Sequence, residues 1–363
     1  MYSFEPDEEQ HMLIEAVGRY ATNDLRAAAH DADEAGELPV ELIEKGWELG
    51  VLQASIPEAY GGFGERSAVT GVLAAEAMGW GDLASALAVM LPATYAMPVL
   101  LGGTEEQKTR WLPPVIEAEW KPYVAAFIEP SFDFYAGDMR TTAKKDGDVY
   151  LLNGEKAYVP FAETAEAFLI YAAVDGQTQA FIVPAGAEGL IIGEREKLMG
   201  IGALPTYQIK MEDLLVPIES KLGGEQGFDF SPVLASTQVA IAALAVGVSK
   251  AALDYALPYA KEREVWGIPI AQKQAIAFML AEMATEIEAI RLLVWEAAWM
   301  LDVGKDASKE AYMALNGASD MAMTVTDQAV QVLGGHGYIR EHPVELWMRN
   351  GRGISTFAGL AMV

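Results

Sequence analysis

Apolar and acidic side chains alternate at helical spacing near the start of the chain. In "DEEQHMLIEAVGRYATNDL" the apolar positions return every three or four residues, which predicts an amphipathic helix. "PVELIEKGWELGVL" predicts another, with Pro39 suited to a first helical turn. "GTEEQKTRWLPPVI" predicts a third, with Thr104 as N-cap and Gln107 placed for a capping box. The Gly-rich "IPEAYGGFGERS" reads as a loop. From about residue 123 the period shortens to that of strands, in "DGDVYLLNGEKAYVPF", "AFLIYAAV" and "QAFIVPA". Asp146-Gly147, Asn153-Gly154 and Asp175-Gly176 are predicted turns. From residue 227 the helical period returns. Met279, Met283, Ile287, Ile290 and Val294 fall on one face of "FMLAEMATEIEAIRLLVWEAAWML", as in a bundle helix. The expected fold class is α+β, with a helical domain over 1–122, an antiparallel β domain over 123–226 and a helical bundle over 227–363.

Composition narrows the chemistry. A chain of 363 residues, 52% hydrophobic, can bury a large core in two or three layers. A net charge of −27 repels nucleic acid and anionic membranes, so neither is an expected partner. An anionic ligand such as a nucleotide would need a local cluster of Arg or Lys. With no cysteine there is neither a disulfide framework nor a thiolate metal site. His11, His30, His336 and His342 show no ligand spacing, so no metal is expected. The acidic "MYSFEPDEEQ" lacks a secretory signature, and no uncharged run is expected to span a membrane. A soluble cytoplasmic protein is the expectation.

Six strings in order, "IPEAYGG" (56–62), "GTEEQK" (103–108), "NGEKAYV" (153–159), "KEREVWG" (261–267), "QAIAFMLAEMA" (274–284) and "QVLGGHGYIREHPVELWMR" (331–349), resemble the acyl-CoA dehydrogenase family over nearly the whole chain. The resemblance implies an N-terminal helical domain, a middle β domain and a C-terminal four-helix bundle. It also implies FAD at a subunit interface and α,β-desaturation of an acyl-CoA thioester. There a carboxylate takes the α-proton while the β-hydride goes to the flavin, and hydrogen bonds to the thioester carbonyl favour the step.

Several positions depart from that pattern. The family's Tyr-Glu-Gly-Thr string, which carries the base, falls on Phe357-Ala358-Gly359-Leu360. The base position is thus Ala358, and the flavin-holding Thr is Leu360. The alternative base position, on the first long C-terminal helix, falls at Thr237 and Gln238. The Val-Thr-Glu-Pro string reads Phe127-Ile128-Glu129-Pro130, and Trp-Ile-Thr reads Tyr158-Val159-Pro160. Proline offers neither hydroxyl nor N–H. A small-residue loop has become Ser131-Phe132-Asp133-Phe134-Tyr135, whose aromatics are expected to fill the cavity they border.

The positions that serve a neighbouring subunit's FAD are kept. They fall on Arg263, Trp266, Gly267, Gln274, Gln331, Gly334 and Gly335. Arginine can contact pyrophosphate oxygens bidentately, and glycine backbone approaches phosphate closely. His336 reads as a turn residue. The split resembles the base-less subunit of heterotetrameric, steroid side-chain-type acyl-CoA dehydrogenases of lipid or steroid catabolism. That resemblance implies a paralogous partner chain in an α2β2 assembly and FAD shared at the interface. It places the acyl-CoA mainly in the partner's site and makes electron-transfer flavoprotein a candidate redox partner. Two other readings stay open: a base-less homo-oligomeric flavoprotein with other chemistry on acyl-CoA, and a non-catalytic scaffold.

Overall fold

The computed structural model describes residues 5–363; the first four residues of the acidic N-terminal stretch lie outside the described residues. The helical first part comprises α1 (Glu8–Tyr20), α2 (Arg26–Ala35), α3 (Val40–Trp47), α4 (Val51–Ala54), α5 (Ala68–Gly81), α6 (Leu83–Met90), α7 (Ala93–Gly102) and α8 (Glu105–Val115). The capping box at α8 forms as the spacing predicts: Gln107 N donates to Thr104 Oγ1 at 3.2 Å, and Thr104 N to Gln107 Oε1 at 3.0 Å. Pro39 is the residue before α3, one position earlier than predicted.

The sheet contains β1 (Tyr123–Ala126), β2 (Thr142–Asp146), β3 (Val149–Pro160), β4 (Ala167–Val174), β5 (Gln177–Pro184), β6 (Leu190–Arg195) and β7 (Thr206–Pro217). Its order is β1-β4-β2-β3-β7-β6, with β5 on β4. It is not wholly antiparallel, because β1 and β2 both meet β4 in parallel. Asp146-Gly147 and Asp175-Gly176 make the expected turns. Asn153-Gly154 does not; it lies inside β3, where the register with β7 shifts between Leu152 and Gly154. Gly154, at φ +146°, passes against Thr141, so the same residue chemistry builds a bulge instead of a hairpin.

The last part holds α9 (Phe230–Glu262), the hairpin β8 (Glu264–Val265) and β9 (Ile268–Pro269), α10 (Gln274–Asp302), α11 (Ser308–Leu333) and α12 (Val344–Gly351). The expected C-terminal four-helix bundle is built of three long helices and a short one. Contrary to expectation, α9 is long and apolar enough to cross a membrane, and Phe230–Ser249 carries no charge. Its residues Val239–Val248 are buried instead, with α5, α10 and α11 packed around it. One core runs through both helical parts and one face of the sheet, and a second lies on the other face. On α10, Met283, Ile287 and Val294 are buried and Met279 and Ile290 pack against the core, as the periodicity predicts.

Candidate active site and cofactor face

Both positions where the family resemblance places a base meet in space. Thr237, on the buried middle of α9, accepts the Gly359 N–H at 2.7 Å. Ala358 and Gly359 thus pack directly on α9, and no acid stands at either position. Phe127 presses on the other side of this turn. A Cβ on Gly359 (φ +96°) would lie 2.6 Å from the Phe127 ring, so only glycine fits. Phe127 is the hub of an aromatic wall, with ring centroids 5.0 Å from Tyr171, 5.9 Å from Phe134 and 6.0 Å from Phe230.

The loop 131–135 fills space with one ring only. Phe134 turns inward onto Phe127, whereas Phe132 and Tyr135 face solvent. The expectation that the loop's aromatics fill the cavity they border is corrected: only Phe134 packs inward, onto Phe127, while Phe132 and Tyr135 remain exposed. Glu129 anchors it. Its carboxylate accepts from Arg140 N and Thr141 N, each at 2.8 Å, and from the buried Lys156 Nζ at 3.1 Å. Lys156 also donates to Phe127 O. Burial pushes the Lys156 amine down to about 8, opposed by the Glu129 charge. Burial pushes the Glu129 carboxyl up, but the Lys156 charge and the bonds from Thr141 and Arg140 outweigh it and hold it below its ordinary value.

The positions at which the resemblance places flavin-ring contacts are engaged within the chain. Ile128 is buried, with its carbonyl taken by Ala157 N at 2.9 Å. Tyr158 (φ +53°) donates its N–H to Glu196 Oε2 at 3.0 Å. Pro160 pairs in register with Thr206, and Leu360 is buried.

The seven retained positions lie elsewhere and share one character. Arg263, Trp266, Gly267, Gln274, Gln331, Gly334 and Gly335 are all exposed. Arg263 ends α9, and its guanidinium makes no hydrogen bond or ion pair among the described residues. A Cβ built on Gly267, Gly334 or Gly335 meets no atom within 4 Å. Tyr259, one turn before Arg263, ties the two segments together: its hydroxyl bonds His336 Nδ1 at 2.9 Å and Leu333 O at 3.4 Å. Trp266 and Gly267 form the two-residue turn of the β8–β9 hairpin, both at positive φ (+59° and +79°). Asn-Gly is the usual choice there, and tryptophan in this conformation is strained. It is also 92% exposed, so nothing within the chain compensates.

Two groups escaped the sequence reading. His336 and His342, which show no ligand spacing in the sequence, stack at 5.3 Å and 16°, with His342 Nδ1 2.8 Å from the Tyr255 hydroxyl. Among the described residues no histidine–carboxylate group is arranged to hold a metal. Arg66 and Ser236 converge on the Val363 carbonyl. Only the lone basic residue after "GGFGE" hinted at the first of them.

Comparison with known proteins establishes the family and the fold. The acyl-CoA dehydrogenase N-terminal, middle and C-terminal domains match residues 7–119, 126–214 and 230–361. The chain belongs to the acyl-CoA dehydrogenase family. Among its relatives is the caffeyl-CoA reductase-Etf complex subunit CarC of Acetobacterium woodii, 38% identical over 98% of this chain and 96% of that one. Among solved structures, butyryl-CoA dehydrogenase from Megasphaera elsdenii superposes with a TM-score of 0.89 at 31% identity, covering 99% of this chain and 96% of that chain. An FAD complex of PigA superposes with a TM-score of 0.90 at 26% identity, covering 98% and 95%. In this acyl-CoA dehydrogenase-family chain, the two positions at which the resemblance places a base hold Ala358 and Thr237, both uncharged.

Proposed function

We propose that this chain is the base-less subunit of a heteromeric acyl-CoA dehydrogenase-type complex and completes the ADP side of an FAD bound mainly by a paralogous chain. One observation carries the reading: Ala358 and Thr237 meet without an acid, while Arg263 and the glycines of the exposed face remain uncommitted. The two faces fit FAD differently. The exposed face has the free guanidinium and open backbone that a pyrophosphate requires. The ring side has Ile128, Pro160 and Leu360, which offer no hydroxyl. FAD held between the chains would supply the hydride acceptor. Arg263 would neutralise its phosphates, and Gly334 and Gly335 would let it approach.

On this reading the acyl-CoA lies mainly in the partner's site of an α2β2 assembly in the cytoplasm. The Etf complex named for the CarC relative supports an electron-transfer flavoprotein as the redox partner. The test is co-expression with a paralogous dehydrogenase chain, counting FAD per assembly with and without Arg263→Ala. About half the chain count of FAD, lost with Arg263→Ala, is expected. Yellow protein from this chain alone, with one FAD per chain and acyl-CoA oxidation, overturns the reading in favour of a homo-oligomer. Full FAD content in the Arg263→Ala complex would favour a scaffold.

A further inference from the structure

A cavity of about 420 Å³, in the size range of small-molecule sites, opens between α1, α5, α9 and α10. None of the base or cofactor-face positions borders it. Gly18 keeps it open. This glycine stands inside α1, where it costs helix stability relative to alanine. A Cβ built on it meets no atom within 4 Å, so no neighbour in the fold requires the missing side chain. A larger residue would stand in the cavity instead. The helix also widens here. Ala21–Leu25 wind as a π-turn, a departure common at functional sites, and Ala21 and Thr22 of that turn border the same space.

Two indoles border the cavity, Trp80 on α5 and Trp295 on α10. Trp80 is held in place from two directions. Asp254 Oδ2 accepts its indole N–H at 2.9 Å. Arg26, which does not border the cavity, lies over the ring with Cζ 3.7 Å from its centroid, and its guanidinium donates to the Trp80 and Gly81 carbonyls. The ring is thus fixed before any ligand arrives, which lowers the cost of binding. Trp295 is partly exposed and adds a second aromatic surface.

Charge narrows the ligand further. Lys250 Nζ pairs with Asp254 at 2.7 Å. The Arg291 guanidinium is shared between Glu288 and Glu76, with Nε 2.9 Å from Glu76 Oε1. Three carboxylates therefore share two cations. Glu76 borders the cavity, and burial pushes its carboxyl up in spite of the Arg291 charge. A further cation beside it would be favourable. An anion would meet Glu76 and Asp254 on a chain of net charge −27.

We propose that this cavity is a binding site for a small planar aromatic amine, its ring against Trp80 and Trp295 and its ammonium toward Glu76 and Asp254. Indole faces stack on rings and attract cations, so one pair of side chains serves both ends of such a ligand. The site is separate from the cofactor face, and the inference does not rest on the partner-FAD reading.

Calorimetry on the full chain tests it with tryptamine and indole-3-propionate, which carry the same ring and opposite charge. Tryptamine is expected to bind more tightly by roughly tenfold or more. Gly18→Leu is expected to remove tryptamine binding and to raise Tm, because leucine favours the helix and its Cβ meets only the cavity. Asp254→Asn keeps an acceptor for the Trp80 N–H and removes the charge, so it should narrow the gap between the two probes. Absence of tryptamine binding, or binding untouched by Gly18→Leu, overturns the site. Equal affinity for the two probes overturns the class of ligand. A lower Tm in Gly18→Leu would show that packing requires the glycine and overturns its role as the opening.

Discussion

The Thr237 hydroxyl accepts the Gly359 N–H at 2.7 Å, in a fully buried position. The two alternative base positions of the family are thus joined by a hydrogen bond between an alcohol and a main-chain amide. Thr237→Val keeps the shape and removes the acceptor. A buried N–H left unpaired costs about 1–3 kcal/mol. Chemical denaturation should show a loss of that size, with no change in FAD content of a co-expressed complex.

Restoring the acid should not restore the enzyme. Ala358→Glu places a carboxylate at the base position that the resemblance implies, but Ile128, Pro160 and Leu360 still offer no hydroxyl where the proposed reading puts the flavin ring. No acyl-CoA oxidation with an artificial acceptor is expected from the isolated Ala358→Glu chain. A dye-reduction assay that found turnover would show that the missing carboxylate was the sole loss.

The Glu129–Lys156 pair is a structural clamp on the loop before β2. Lys156→Met leaves Glu129 buried without its cation, at a cost of about 3–5 kcal/mol. The double variant Glu129→Gln with Lys156→Met should recover part of that loss. Equilibrium urea unfolding of the three variants measures it.

Acid sensitivity follows from the same pair. The folded Glu129 carboxyl lies below its ordinary value of 4.5. Its contribution is therefore fully present above that value and is lost as pH falls through the folded one. Lys156 has a slope of the same sign at higher pH: held down to about 8 from 10.5, it costs stability while charged and sheds that cost as pH rises between those values. Tm measured across the acid range should fall below about pH 4.5. In Lys156→Met, where the amine no longer opposes burial, the folded Glu129 carboxyl rises toward or above its ordinary value, so its share of the acid loss should shrink.

Trp266 at φ +59° carries strain that asparagine would relieve. Trp266→Asn should stabilise the isolated chain by about 1 kcal/mol, since the left-handed region costs most side chains ~1–2 kcal/mol. The same change should weaken FAD retention in the assembled complex. Thermal melts of the lone chain and flavin absorbance of the complex report the two effects separately.

The element order was legible in the sequence because periodicity and caps are local: α8 starts on its Thr104–Gln107 box, and the apolar stripe of α10 is buried. What eluded it depends on contacts across the chain. Asn153-Gly154 suits either a hairpin or a bulge, and Thr141 across the sheet decides. Phe132, Phe134 and Tyr135 look equivalent until Phe127 takes one of them. Phe230–Ser249 resembles a membrane span until α5, α10 and α11 surround it. Arg66 and Ser236 are 170 residues apart, and no short-range pattern pairs them. The loss of the acid at Ala358 was readable directly; the burial of the four residues after Gly359 was not.

The β8–β9 hairpin carries Val265, Trp266 and Ile268 outward at its tip. An apolar tip of this kind favours aggregation when nothing covers it. A chain made in excess of its cover would be the first to meet chaperones and proteases. On the heteromeric reading, a chain without its partner would keep Trp266 exposed and would be the more prone to aggregate.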